Sequence, residues 1–356
     1  MEHYRAYDRQ TLNFVDGGIV RGYNVDFDFL SNNASTLTLT EETYAKRGDI
    51  LAIIKGNDKV CLGCVVSVDN TKKTISFKHM KELFNDKVLN VFFYTNIIGK
   101  KFDAIGAMKT ILEYGFVSTD DTRRRLPLEI KMFGAAQGAV WLDEAADMNV
   151  LDFMHKMFDN YNVYVDFDLD FEHSKILVTI VKNVTEGIVI KNNIKLSEPQ
   201  FDNNDTPNYN KLILYRKDNG NIVGTYYLLK NNTVTTSSTN ANRVLPVATK
   251  YMEFDSVKAA ADGYTMLDVA NSELVGNIFN HYVSIKLSKA QNLVKPFDFK
   301  LGDKVTIIYE EREYDSIFTG LKFKMNEPYV TCIFGKTRID FSDRLKQYIK
   351  KEFRRK

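Results

Sequence analysis

The chain has 356 residues, 44% of them hydrophobic and 26% charged, which fits a folded globular protein of two or three domains and excludes a disordered or fibrous one. A formal net charge of +2 gives no strong electrostatic footprint for nucleic acid. With 24 Phe and 19 Tyr but only 6 Pro, the composition favours pleated, half-buried surfaces.

The first eight residues, Met1 to Asp8, are polar and charged, so no secretory signal is expected. No apolar run approaches the roughly 18 residues that span a bilayer. Synthesis in a bacterial cytoplasm, and free thiols for the three cysteines, are the corresponding expectations.

In chain order, the first hundred residues predict short strands. Phe14 to Tyr23 gives apolar runs split by glycines, and Thr36 to Thr40 alternates with period two. Ile50 to Ile54 follows Gly48-Asp49. A turn at Lys55 to Asp58 precedes Val60 to Val68, and Thr74 to Lys78 follows another turn. From about residue 99 the period changes. Phe102, Ile105, Met108, Ile111 and Leu112 predict a helix, with Gly115 as its stop. Val150, Phe153, Met154, Met157 and Phe158 predict a second, capped by Asp147 or Asn149. Two strands, Tyr161 to Phe171 and Lys175 to Val181, come next.

Residues 198–208 read as a polar linker. Asp218-Asn219-Gly220 joins Lys211–Arg216 to Ile222–Leu229 as a hairpin, and 231–242 reads as an exposed loop. A helical stretch weakened by Gly263 and Gly276 covers 256–280. Strands resume at Tyr282 to Leu287 and from Asp303 to Phe334. The tail places Phe341, Leu345 and Ile349 on one face of a basic helix, a candidate docking face for a partner.

The most informative pattern is an internal echo. Gly48-Asp49-Ile50-Leu51-Ala52-Ile53-Ile54 resembles Gly302-Asp303-Lys304-Val305-Thr306-Ile307-Ile308. Each copy opens a strand with a Gly-Asp turn, continues to a strand bearing Gly63 or Gly320, and then to a third strand. On these two segments the chain resembles the tail-tip and baseplate hub family of tailed phages. That family includes the central baseplate hub of the T-even phages and the N-terminal hub part of siphophage tail-associated lysozymes.

The resemblance implies a mainly β fold with α+β parts. Two similar small β-barrels are expected at 1–98 and at 208–239 with 299–338. An α+β middle domain covers 99–207, a small inserted α/β domain covers 240–298, and the basic helix covers 339–356. It implies a homotrimeric ring at the virion tail tip, joining a six-fold tail tube to three-fold tip components. The implied partners are a distal tail protein or tail-tube hexamer, a tape measure protein, and a tail fibre or receptor-binding protein. DNA passes through the channel. Alternatives are a tail-associated peptidoglycan hydrolase and a glycan-binding receptor protein with 231–242 as the binding loop. The chain ends within about twenty residues of its last strand, so no lytic domain is expected to follow.

Residues that suggest chemistry have plainer readings, and no catalytic, metal or cofactor residue is assigned. Asp166, Asp168, Asp170 and Glu172 alternate with apolar residues, as on the solvent face of a strand, and Asp26 and Asp28 read the same way. Cys61 and Cys64 have CxxC spacing in strand-like sequence, where small core residues are expected. The five histidines show no metal-ligand spacing. Phe133 to Ala139 carries glycine but no phosphate-loop lysine. Arg123 to Arg125 reads as a solvated face.

Overall fold

The computed structural model describes residues 2–56, 58–86, 103–134, 149–185, 187–191, 197–202, 209–290, 294–309 and 311–336. The fold is mainly β, as the alternating patterns predict.

The first unit contains β1 (Glu2–Tyr7), β2 (Phe14–Asp28), β3 (Ser35–Leu39), β4 (Ile50–Lys55), β5 (Asp58–Asp69) and β6 (Thr74–His79). They pair antiparallel in the order β1-β4-β5-β6-β3-β2, and β2 returns to β1, so the circuit closes. Closure leaves no end strand to recruit another chain at random. Leu37, Leu39, Ile75 and Phe77 alternate inward and are fully buried. The glycines of β2 do not split it into short runs. A Cβ at Gly17 would sit 2.9 Å from the Tyr4 carbonyl oxygen, so that glycine permits close strand approach within one long strand.

The middle unit contains α1 (Ala104–Leu112), β7 (Leu128–Phe133), α2 (Val150–Tyr161), β8 (Val163–Asp170) and β9 (Lys175–Lys182). Its three strands pair in the order β7-β9-β8, with both helices against the sheet. Asn149 caps α2, its side chain accepting from the Leu151 amide at 2.9 Å. Gly115 does not stop α1. The helix runs on through a π turn, Glu113–Val117, which carries Phe116 into the core with its ring 4.9 Å from that of Phe84.

The next strands, β10 (Ile188–Ile190) and β11 (Ser197–Asp202), occupy ground the sequence assigned to the middle domain and a linker. β12 (Lys211–Tyr215), β13 (Ile222–Leu228), β14 (Val234–Thr235) and β15 (Thr249–Glu253) form a separate sheet, ordered β14-β13-β12-β15. Two helices, α3 (Ser256–Asp262) and α4 (Met266–Leu274), belong to the same insertion, and α4 packs on this sheet. Gly263 and Gly276 do break the helical stretch. Both adopt positive φ, 76° and 95°.

The chain then supplies β16 (Tyr282–Ser288), β17 (Lys304–Tyr309), β18 (Arg312–Lys324) and β19 (Tyr329–Phe334). These join β10 and β11 in the order β10-β17-β18-β19-β16-β11. Taken in chain order, the first, fourth, fifth, sixth, third and second strands of each unit are successive neighbours. The second unit differs in two ways. β10 runs parallel to β17, whereas β1 is antiparallel to β4, and no β10–β11 pairing is present among the described residues.

The boundaries at 208–239 and 240–298 are therefore corrected. The Asn-Gly hairpin signalled a local pairing but not the sheet it joins. Its inward residues Leu212, Leu214, Tyr226 and Leu228 pack against Val269, Ala270 and Leu274 of α4, which holds the hairpin in the insertion. β16, placed in the insertion by the sequence, pairs instead with β19 and β11.

Phe77 and Phe334 hold equivalent positions and are fully buried. Truncating either to Ala is expected to cost about 3–5 kcal/mol in chemical denaturation. Tyr44→Ala, at a side chain 85% exposed, should leave the midpoint unchanged.

Candidate assembly surface

The two Gly-Asp turns have the same hydrogen bonds. The Lys46 amide donates to Asp49 Oδ2 at 2.8 Å, and the Lys300 amide donates to Asp303 Oδ2 at 2.8 Å. Gly48 donates to the Val65 carbonyl and Gly302 to the Phe318 carbonyl, each at 2.9 Å. Val65 and Phe318 return the bond to the carbonyls of Asp49 and Asp303, at 2.8 and 2.9 Å. Gly48 has φ +93° and Gly302 has φ +80°, a region that L side chains avoid. Both aspartates are buried. Burial pushes the Asp49 carboxyl up from its ordinary range, against the pull of the Lys46 amide. Each turn thus pins the start of its unit's fourth strand against the fifth.

The register then shows which residues correspond. Val65 faces Phe77 and Phe318 faces Phe334, and a bulge follows each, before Ser67 and before Gly320. Gly320 therefore corresponds to Ser67. The sequence had matched it to Gly63, whose place is taken by Ser316, since Leu51 faces Gly63 and Val305 faces Ser316.

Gly320 instead opens the seam between the units. Residues 24–28 of β2 pair antiparallel with residues 324–320 of β18. The Phe29 amide donates to Thr319 O at 2.9 Å, and the Met325 amide to Tyr23 O at 3.0 Å, extending the seam at both ends. A Cβ on Gly320 would lie 2.6 Å from Asp28 Cα and Phe27 O, so only glycine allows this approach. Lys322 crosses the seam to Asp26 at 2.8 Å. The sequence reading missed the seam, although the alternation of Leu321 and Phe323 with Lys322 and Lys324 shows a strand with two distinct faces.

The same comparison exposes a free edge. Ser67 to Asp69 of β5 and the following Asn70 correspond to the part of β18 that receives β2; Ser67, Val68 and Asp69 pair with β6 on one side, and among the described residues no strand pairs with them on the other. Ser67 is exposed. The counterpart of β2 in the second unit is β11, where Gln200 faces Ser284 just as Asn24 faces Thr36.

The other flagged residues are absorbed by the architecture. Asp166 and Asp168 are on the outer face of β8, and Asp168 pairs with Lys59 at 2.5 Å, tying the middle sheet to β5. Asp170 holds His173 at 2.8 Å. Asp26 is half-buried, but Asp28 is buried and accepts from the Leu30 amide at 3.1 Å, unlike the solvent-facing residue expected. Cys61 and Cys64 point into different core clusters, because three residues along a strand is an odd step. Both are free, as is Cys332, and burial pushes the Cys64 thiol up to about 12. Burial holds His79 down at about 3 and His281 at about 4, so both are neutral near neutral pH. Arg124 pairs with Asp86 at 3.0 Å. An open groove of about 630 Å³ lies where the two units meet the middle sheet, with Phe27, Phe29, Phe318 and Tyr164 among its walls. Phe341, Leu345 and Ile349, and residues 135–139, are outside the described residues. Among the described residues no His, Cys, Asp and Glu cluster could hold a metal, and no helix is long and apolar enough to cross a membrane.

No protein-family profile matches the sequence, and no curated protein does. Solved structures do match across nearly the whole chain. The prophage tail protein gp18 of Listeria monocytogenes EGD-e is 13% identical, with TM-score 0.55, over 98% of this chain and 99% of its own. A chain of the phage P2 virion baseplate in its activated conformation is 14% identical, with TM-score 0.52, over 96% and 100%. The 43 kDa tail protein of prophage MuSo2 from Shewanella oneidensis is 9% identical, with TM-score 0.51, over 94% and 95%. The chain has the fold of phage tail and baseplate proteins.

Gly48→Ala is expected to cost about 1–2 kcal/mol through its backbone conformation alone. Gly302→Ala should cost more, because its Cβ would also collide with Asn162 Oδ1. Thermal unfolding of the two variants should rank them in that order.

Proposed function

We propose that this chain is a structural component of the tail tip of a phage or phage-tail-like particle, acting as its hub. The observation that carries the reading is the seam. Two units of like strand order are joined edge to edge within one chain, and among the described residues the first unit leaves open the edge that the second fills. A second copy can use the same contact, with its β11 meeting residues 67–70 at the end of β5. The interface is heterologous, so it closes into a ring only at a fixed rotation. Three copies then present six similar units, each of the barrel type, to a six-fold tail tube while keeping three-fold symmetry toward the tip.

The fold shared with baseplate and prophage tail proteins supports this role. On this reading the partners are a distal tail protein or tube hexamer above, a tape measure protein, and a fibre or receptor-binding protein below. DNA crosses the central channel. The work is geometric and involves no catalysis. The sequence-flagged carboxylates support that view, since Asp168 is paired with Lys59, Asp170 is hydrogen-bonded to His173, and Asp49 and Asp303 are held in turns. The alternative readings as hydrolase or glycan receptor draw no specific support from the geometry.

Light scattering coupled to size exclusion tests the ring. The expected mass is three times the 40.9 kDa chain. A strict monomer at high concentration, or a closed two-fold dimer, contradicts it.

A further inference from the structure

This inference rests on the proposed ring and concerns how firmly it closes. The intrachain seam and its copy between subunits can be compared position by position. Asp69 faces Thr74 as Lys322 faces Thr331, so Asp69 holds the place of Lys322. Gln200 faces Ser284 as Asn24 faces Thr36, so two residues further on Asp202 holds the place of Asp26. In the intrachain seam Lys322 lies directly opposite Asp26, and their charges meet at 2.8 Å. In the same register between subunits, Asp69 lies opposite Asp202 of the next copy.

That exchange of residues reverses the sign of the contact. Directly opposite residues of an antiparallel pair project to the same side, with Cβ atoms about 4.5–5.5 Å apart. Opposite charges there stabilise the pairing, and like charges weaken it. Asp69 is ionised at neutral pH, because the Lys72 amide donates to its Oδ1 at 3.0 Å and holds its carboxyl below the ordinary range. Lys72 Nζ lies 3.5 Å from Asp69 Oδ2 but is well exposed, so it offsets little of that charge. The neighbouring position differs in the same sense. Ser67 stands where Gly320 does, and a Cβ at Gly320 would lie 2.6 Å from Asp28 Cα. A second copy must therefore stand further off at Ser67 than β2 does at Gly320.

We propose that the seam between copies is built weaker than its intrachain counterpart, with Asp69 of one copy opposed to Asp202 of the next, so that the ring closes only where subunits are concentrated together. The pairing within the chain is permanent, and its repetition between chains is conditional. Free chains are thereby kept apart until another component gathers them.

The test follows the mass of the full chain by light scattering across a dilution series and reads the concentration at which half of it is assembled. Between about 50 and about 500 mM salt the parent should assemble more readily as salt rises, because screening relieves the opposed charges. Asp69→Lys and Asp202→Lys each recreate a lysine–aspartate pair. Each should lower the midpoint about tenfold and reverse the salt trend. D69K/D202K opposes two lysines and should return the midpoint close to that of the parent. Asp69→Asn keeps an oxygen for the Lys72 amide while removing the charge, so it guards against a turn disturbed by lysine. It should shift the midpoint in the same direction by less. The proposal is overturned if the single swaps leave the midpoint unchanged, or if the double swap assembles as readily as they do. A trimer indifferent to all of these substitutions ends this inference and leaves the ring standing. Monomers throughout, even at high concentration, remove the ring and this inference with it.

Discussion

The structure depends on the antiparallel pairing of β2 with β18. Strand pairing is directional and satisfies backbone groups that would otherwise need water or another chain. It requires the two units to meet at a fixed register. Gly320 makes this possible by bringing the two backbones closer than any side chain allows. Phe27, Phe77, Phe318 and Phe334 then fill one cluster that runs through both units. The continuous sheet from β6 to β11 follows from that contact.

The asymmetry of the chain is as informative as its likeness. The first circuit closes on itself, while the second ends at β10 and β11 among the described residues. Between β11 and β16 the chain makes an excursion into a separate sheet with its own core of Leu212, Leu214, Val269 and Leu274. An insertion at a strand connection disturbs the parent sheet little, because the ends it joins are already close in space. The middle unit packs against both neighbours. Lys59–Asp168 ties it to β5, and Asn162 and Asn183 donate to the carbonyls of Gly302 and Leu301 at the second Gly-Asp turn.

Much of this was legible in the sequence, for definite reasons. The Gly-Asp turns were visible because a positive φ demands glycine and a buried carboxylate demands a fixed set of amide donors. β3, β4, β5 and β6 were visible through alternation and turn residues. The membership of sheets was not. A hairpin signal at Asn219-Gly220 says which strands are neighbours in sequence but not which core they share. β10 has three residues and β11 begins Ser-Glu-Pro, too little pattern to mark either as a strand. The seam was hidden for a related reason. Gly320 looked like the glycine of a repeat, whereas its role is a contact with residues nearly three hundred positions away.

The account's central claim is that the intrachain seam recurs between copies. Hydrogen–deuterium exchange tests it at residue level. As concentration rises into the assembled range, the amides of residues 67–70 that point away from β6 should slow toward the rates of the corresponding amides of residues 320–324, which already bond to β2 within the chain. Fast exchange at 67–70 in an assembled, trimeric sample would contradict it, because the ring would then be held by some other surface.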